Sequence, residues 1–209
     1  MSKRIITAGS DPYPPFQDLL DDGSIVGMDI EKLRKVFAET PYELKITLCD
    51  MKDAFDAFEK KQMDSVFLIA ETPERHEKGY IFSDFVRNSV TAYFSRNPDT
   101  VIESFNDITR KNLVFGYIPF FSTPPEIESL PKENQRHYTG TIELLKAVAH
   151  GEVDMASFDK DLCTYYVKDL GLPKLYESPK MTSQKALHMC FNDAEICSEF
   201  NKALKKVGF

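Results

Sequence analysis

Arg75 and Asp159 are the two charged residues whose surroundings best suit ligand chemistry. Arg75 follows Thr72 and Pro73. Threonine suits a helix N-cap and proline the first helical position, so a short helix is expected to begin there. Just before it lies the apolar run Val66-Phe67-Leu68-Ile69, which reads as a buried strand. A guanidinium at such a junction can grip a carboxylate through two parallel hydrogen bonds. The unpaired N–H groups of the helix start add to the positive field. The bland alternative is a surface arginine paired with Glu71 or Glu74. Asp159 ends a second apolar run, Met155 to Phe158, and its carboxylate can accept hydrogen bonds from an ammonium. The alternative is equally physical: an aspartate after a strand is very often an N-cap, here for a helix beginning near Asp161.

A third group lies in Ser10-Asp11-Pro12-Tyr13-Pro14-Pro15-Phe16, where three prolines forbid helix and fix an extended loop. The rings of Tyr13 and Phe16 can stack on an aliphatic side chain or attract a cation. Asp11 can pair with a basic group, or it can simply initiate a turn before its proline. Nucleophilic catalysis has no support, because His76, His137, His150 and His188 sit in charged or helical contexts, none beside a plausible nucleophile.

The elements that must hold these residues alternate between strand and helix. Arg4 to Ala8 is a β-branched run, Asp21-Asp22-Gly23 a turn, and Ile25-Val26-Gly27 a brief strand. Asp29 is expected to cap a helix whose stripe is Ile30, Leu33, Val36 and Phe37, stopped by Thr40-Pro41. Tyr42 to Leu48 alternates as a strand, and Ala54, Phe55 and Phe58 mark a second helix. The run Val66 to Ile69 reads as a central parallel strand. The second half repeats the plan. Leu113 to Gly116 is strand-like, and a helix with Leu144, Leu145 and Val148 runs from Thr141 to near Gly151. Met155 to Phe158 is a strand and Asp161 to Leu170 a helix; Leu187 to Phe191 is a late strand and Ala194 to Lys206 the last helix.

An internal echo links the halves: Phe58 stands six residues before Asp64 and Val148 six before Asp154, each followed by an apolar strand. At a spacing of about ninety residues this reads as two similar α/β lobes, not a solenoid. Extended crossovers are expected near Thr91–Asn97 and Thr182–Met189.

Composition bounds the rest. With 42% hydrophobic and 28% charged residues the chain is globular, not disordered. A formal net charge of −7 disfavours nonspecific nucleic-acid binding. No apolar run approaches the ~18–20 residues that cross a bilayer. Met1-Ser2-Lys3-Arg4 leads straight into the first strand, so either the chain is cytosolic or a leader has been removed. The cysteines 49, 163, 190 and 197 form no C-x-x-C pair and no metal-like spacing with histidine. No metal or other cofactor is expected, and free thiols are favoured over bridges.

Five segments resemble the type II periplasmic solute-binding proteins, specifically the amino-acid-binding group, solute-binding protein family 3. They are Asp11 to Phe16; Ile25-Val26-Gly27-Met28-Asp29-Ile30; Thr72-Pro73-Glu74-Arg75 followed by Phe82-Ser83-Asp84-Phe85; Gly151-Glu152-Val153-Asp154 with Asp159 five residues on; and Phe200-Asn201-Lys202-Ala203-Leu204. The resemblance spans nearly the whole chain. It implies an α/β, two-lobed periplasmic-binding-protein type II fold, with two doubly wound sheets joined by two hinge strands and the ligand in the cleft. Residues 1–94 with 187–209 would form lobe one, and 95–186 lobe two.

It further implies that Arg75 binds the α-carboxylate of an amino-acid-like ligand and Asp159 its α-amino group. Asp11 would pair with a basic side chain, Tyr13 and Phe16 would line the site, and Ala70 would contribute its backbone. Ser122 and Thr123 would stand in for a family Gly-Thr or Gly-Ser turn. The stretch after Asp64 is one residue shorter than the family pattern and lacks its hydroxyl; Met51 replaces a frequent aromatic; Phe120 and Phe121 add apolar surface or packing. The implied partner is the membrane permease of an ABC transporter, the implied location periplasmic after removal of a leader, and the expected state a monomer. Two other readings stay open: a cyclohexadienyl (prephenate or arogenate) dehydratase on this scaffold, with Glu71 or Asp159 as the acid, and a sensor module that signals to a membrane partner.

Overall fold

The computed structural model describes residues 3–119 and 124–208. The chain divides into two compact units, Met1–Ser89 with Lys185–Phe209, and Val90–Gln184. Among the described residues, no helix is long and apolar enough to cross a membrane.

In the first unit, β1 (Arg4–Ser10) lies parallel to both β4 (Tyr42–Leu48) and β5 (Ser65–Ile69). The C-terminal part of β11 (Tyr176–Phe191) runs antiparallel to β5 and also pairs with β6 (Ile81–Phe82). The apolar run expected to be a central parallel strand is thus parallel on one side and antiparallel on the other. A small hairpin joins β2 (Asp18–Leu19) and β3 (Ile25–Val26). Helices α1 (Met28–Ala38) and α8 (Ala194–Val207) cover one side of the core with Leu33, Phe37, Phe200 and Leu204. Helix α2 (Met51–Glu59) places Ala54 and Phe58 in a second cluster with Val66, Ile69 and Cys190. The short α3 (Pro73–Glu77) follows β5.

Asp29 does not cap α1. The cap is Gly27, at φ 128°, and a side chain there would meet the carbonyl oxygen of Phe16 at 2.2 Å. Only glycine tolerates that conformation and that approach. Asp29 instead sits in the first turn, buried, with its carboxylate drawn to Arg87.

In the second unit, β10 (Met155–Asp159) pairs antiparallel with β7 (Arg87–Ser95) and parallel with β8 (Phe115–Tyr117), which is parallel to β9 (Gln135–His137). Helices α4 (Asn106–Arg110), α5 (Pro125–Glu128), α6 (Thr141–His150) and α7 (Lys160–Asp169) complete it. Helix α6 ends, as its sequence predicts, on Gly151 in the left-handed region at φ 79°. Its apolar face, Leu144, Leu145 and Val148, packs with Ala156 and Phe158 of β10.

The echo between the halves has a structural basis. Asp64 Oδ2 accepts from the backbone N–H of Thr7 in β1 at 2.9 Å, and Asp154 Oδ2 accepts from that of Val114 just before β8 at 2.7 Å. In each unit the aspartate ahead of a buried strand ties down the backbone of a neighbouring one, in the middle of β1 and just ahead of β8.

Candidate ligand-binding residues

The carboxyl ends of parallel strands are where α/β sheets bind ligands. In the first unit three such ends carry the candidates: β1 leads into Asp11, β4 into Cys49 and Asp50, and β5 into Ala70 and Arg75. The ends of β1 and β4 are held together, since Cys49 N–H donates to the Ser10 carbonyl at 2.9 Å. Thr72 caps α3 with its hydroxyl accepting from Arg75 N–H at 3.3 Å, and Pro73 opens the helix, as predicted. The half-buried Arg75 side chain then folds back. Its Nη1 donates to the Ala70 carbonyl at 2.5 Å, and its guanidinium carbon lies 4.9 Å from the ring centre of Phe55 on α2. Neither suspected carboxylate takes it. Glu71 faces His76 Nε2 at 3.0 Å and His188 Nε2 at 3.5 Å, while Glu74 pairs with Lys78 at 3.7 Å. Among the described residues, no carboxylate lies within ion-pair distance of Arg75. One edge of the guanidinium is anchored and the remaining N–H donors can serve an external carboxylate.

Asp11 is half-buried. Burial pushes its carboxyl above the ordinary value, its backbone N–H and the Ser10 hydroxyl pull it back, and the Asp50 carboxylate pushes it up further. Among the described residues no cation forms an ion pair with it. A desolvated carboxylate beside another carboxylate favours a cationic visitor. Nearby, the amide of buried Gln17 donates to Ser10 Oγ at 3.3 Å while its Oε1 finds no partner among the described residues. Tyr13 and Phe16 stack with ring centres 6.1 Å apart. Phe16 is buried, and the Arg87 guanidinium lies only 3.6 Å from its ring centre.

In the second unit Asp159 ends β10 and caps α7, Oδ1 accepting from Asp161 N–H at 3.0 Å and Leu162 N–H at 3.2 Å. The capping role weighed against ligand binding is therefore real. At the end of β8, Tyr117 hydroxyl donates to Gln135 Oε1 at 2.8 Å and meets His137 Nε2. Ser122 and Thr123, like Phe120 and Phe121, lie outside the described residues.

Residues 5–207 match the bacterial extracellular solute-binding proteins, family 3. The chain belongs to this family. Among solved structures, this solute-binding protein is similar to the arginine-, lysine-, histidine-binding protein ArtJ from Geobacillus stearothermophilus, with 21% identity, a TM-score of 0.74, and 98% of this chain and 89% of that chain covered. It is also similar to an ABC uptake transporter substrate-binding protein from Streptococcus pneumoniae with bound histidine, at 19% identity, TM-score 0.74 and 97% and 86% coverage. A third is an ancestral amino acid-binding protein described as a precursor of cyclohexadienyl dehydratase, at 20% identity, TM-score 0.76 and 97% and 88% coverage. At these identities the likeness establishes the two-lobed α/β fold. Comparison with curated protein sequences finds no match.

Two features of this solute-binding protein escaped the sequence reading. Phe55, seen there only as a helix-stripe residue, is the platform under Arg75. Arg87, which carried no local signal, covers Phe16. Among the described residues, no cluster of histidine, cysteine or carboxylate side chains suits a metal ion.

Proposed function

We propose that this solute-binding protein captures an α-amino acid with a basic side chain and delivers it to the permease of an ABC-type transporter outside the cytoplasm. In this reading Arg75 grips the α-carboxylate, Asp159 accepts from the α-ammonium, and Asp11 receives the side-chain cation, with Tyr13 beside it. Ala70 acts indirectly, its carbonyl holding Arg75 in place, and Ser122 and Thr123 add polar groups. The observation that carries the proposal is Arg75: a guanidinium anchored by Ala70 and Phe55, at a strand's carboxyl end, with no carboxylate partner among the described residues. The basic preference draws on Asp11, and on structural neighbours named for binding arginine, lysine and histidine.

A thermal-shift screen of the twenty amino acids, followed by calorimetry, tests it. A ligand that binds only the folded state raises the melting temperature with concentration. Stabilisation by L-arginine, L-lysine or L-histidine, weakened by both Arg75→Ala and Asp159→Asn, is expected; none from any amino acid would sink the proposal. The dehydratase reading has one point in its favour, since a carboxyl raised by burial, as Asp11 is, suits an acid catalyst. Conversion of prephenate or arogenate above the buffer rate would favour it over capture.

A further inference from the structure

Arg87 opens strand β7 and sits in a buried network that the ligand-binding reading leaves unused. Its Nε donates to Asp29 Oδ2 at 2.6 Å, and the two side chains are only 13% and 4% exposed. Nη1 donates to the carbonyl of its neighbour Asn88 at 3.2 Å. The guanidinium lies 3.6 Å from the ring centre of Phe16, and Phe16 in turn stacks with Tyr13. The backbone closes the same group from the other side: Asp29 N–H donates to the Phe16 carbonyl at 2.9 Å, and Met28 N–H to that of Pro15 at 3.2 Å. Lys32 of α1 bonds the carbonyl of Val86. Three elements distant in sequence, the first loop, the start of α1 and the start of β7, thus meet on one guanidinium.

We infer that Arg87 is a positioning residue for the first loop: its plane, oriented by Asp29, fixes Phe16 and through it the place of Tyr13 and Asp11. The ion pair alone would need only a charge. The stack needs a flat cation, which arginine supplies and lysine does not. The guanidinium also occupies a face of Phe16. Because β7 passes from the first unit into the second after Ser89, the residue that sets the loop also fixes the start of a connecting strand. That Tyr13 and Asp11 meet a ligand rests on the proposed function; the clamp on the loop does not.

The experiment has two readouts on Arg87→Ala, Arg87→Lys and Phe16→Leu. The first is amide hydrogen exchange without ligand. All three variants are expected to lose protection at the amides of Tyr13, Phe16, Gln17, Met28 and Asp29 while keeping it in β4 and α8. The second is calorimetric titration with L-arginine, for which about tenfold weaker binding is expected, the lysine variant included. Wild-type loop protection in Arg87→Lys and Phe16→Leu would overturn the inference, whatever happens to Arg87→Ala. A loosened loop with unchanged L-arginine affinity would overturn the positioning role in binding. If the wild-type protein takes up no basic amino acid, the functional proposal fails separately, and exchange still decides whether Arg87 holds the loop.

Discussion

Replacing Arg75 separates what the residue does for the fold from what it does for a ligand. Within the protein it makes one hydrogen bond to a backbone carbonyl and one cation–π contact. A hydrogen bond to a charged group is worth about 1.5–3 kcal/mol at most, and an exposed cation–π contact about 0.5–1 kcal/mol. Arg75 is half-buried, so the low end of each applies, and Arg75→Ala should cost about 2 kcal/mol of stability. The ligand loses more. A bidentate guanidinium–carboxylate grip comprises two charged hydrogen bonds, together about 3–6 kcal/mol. At about 1.4 kcal/mol per decade, affinity should fall by about a hundredfold or more. Arg75→Lys keeps the charge but loses the fork, and should fall between the two proteins. Calorimetry with whichever amino acid gives the largest thermal shift measures affinity, and urea unfolding without ligand measures stability. Equal affinity in Arg75→Ala and wild type would remove Arg75 from the site. A stability loss much larger than the affinity loss would make it a structural residue.

The other predictions use particular side chains. Burial pushes the thiols of Cys163 and Cys190 to about 12 and that of Cys197 to about 11, and all four cysteines are free. Thiol counting should therefore find four after unfolding without reductant, and these three should stay unreactive at neutral pH in the native protein, because thiolate is the reactive form. Leu68 has φ 59° at a bulge opposite the His188–Met189 step. A left-handed conformation costs a non-glycine residue about 1–2 kcal/mol, so Leu68→Gly should melt above Leu68→Ala, reversing the usual order in strands; the opposite order would refute the strain. Asp11 has a raised folded-state pKa, so the native state holds its proton to higher pH than the unfolded chain, and its ionisation lowers stability as pH rises through the folded value. Asp11→Asn should therefore be more stable than wild type at neutral pH and equal to it in acid, while binding a basic ligand less tightly; equal melting temperatures at both pH values would remove the burial argument.

Elements announced by local signals were readable, and those built by distant partners were not. Gly151 ends α6 because a left-handed C-cap is a local signal, and the run Val66–Ile69 announced a strand because all four residues are apolar, as the wholly buried strand Ser65–Ile69 bears out. The strand expected at Leu113–Gly116 begins instead at Phe115, because Val114 N–H is taken by the Asp154 carboxylate forty residues on. Strand β11 was expected at Leu187–Phe191, with an extended crossover over Thr182–Met189, yet it starts at Tyr176; residues 179–186 are mostly exposed and polar, so they show no hydrophobic alternation. The candidate site divides in the same way. Arg75 was legible because cap, proline and arginine lie within four residues. Its platform Phe55 and its carbonyl partner Ala70 come from separate elements, and nothing near Arg87 points to Asp29, 58 residues earlier. Local grammar thus marks a charged residue at a strand's end as a candidate, whereas the residues that orient its charge are found only once the chain has folded. In this chain both aiming contacts are guanidinium over phenylalanine, Arg75 on Phe55 and Arg87 on Phe16. A flat cation on a ring can still spend its in-plane N–H groups elsewhere, and for Arg75 that leaves the donors a carboxylate would need.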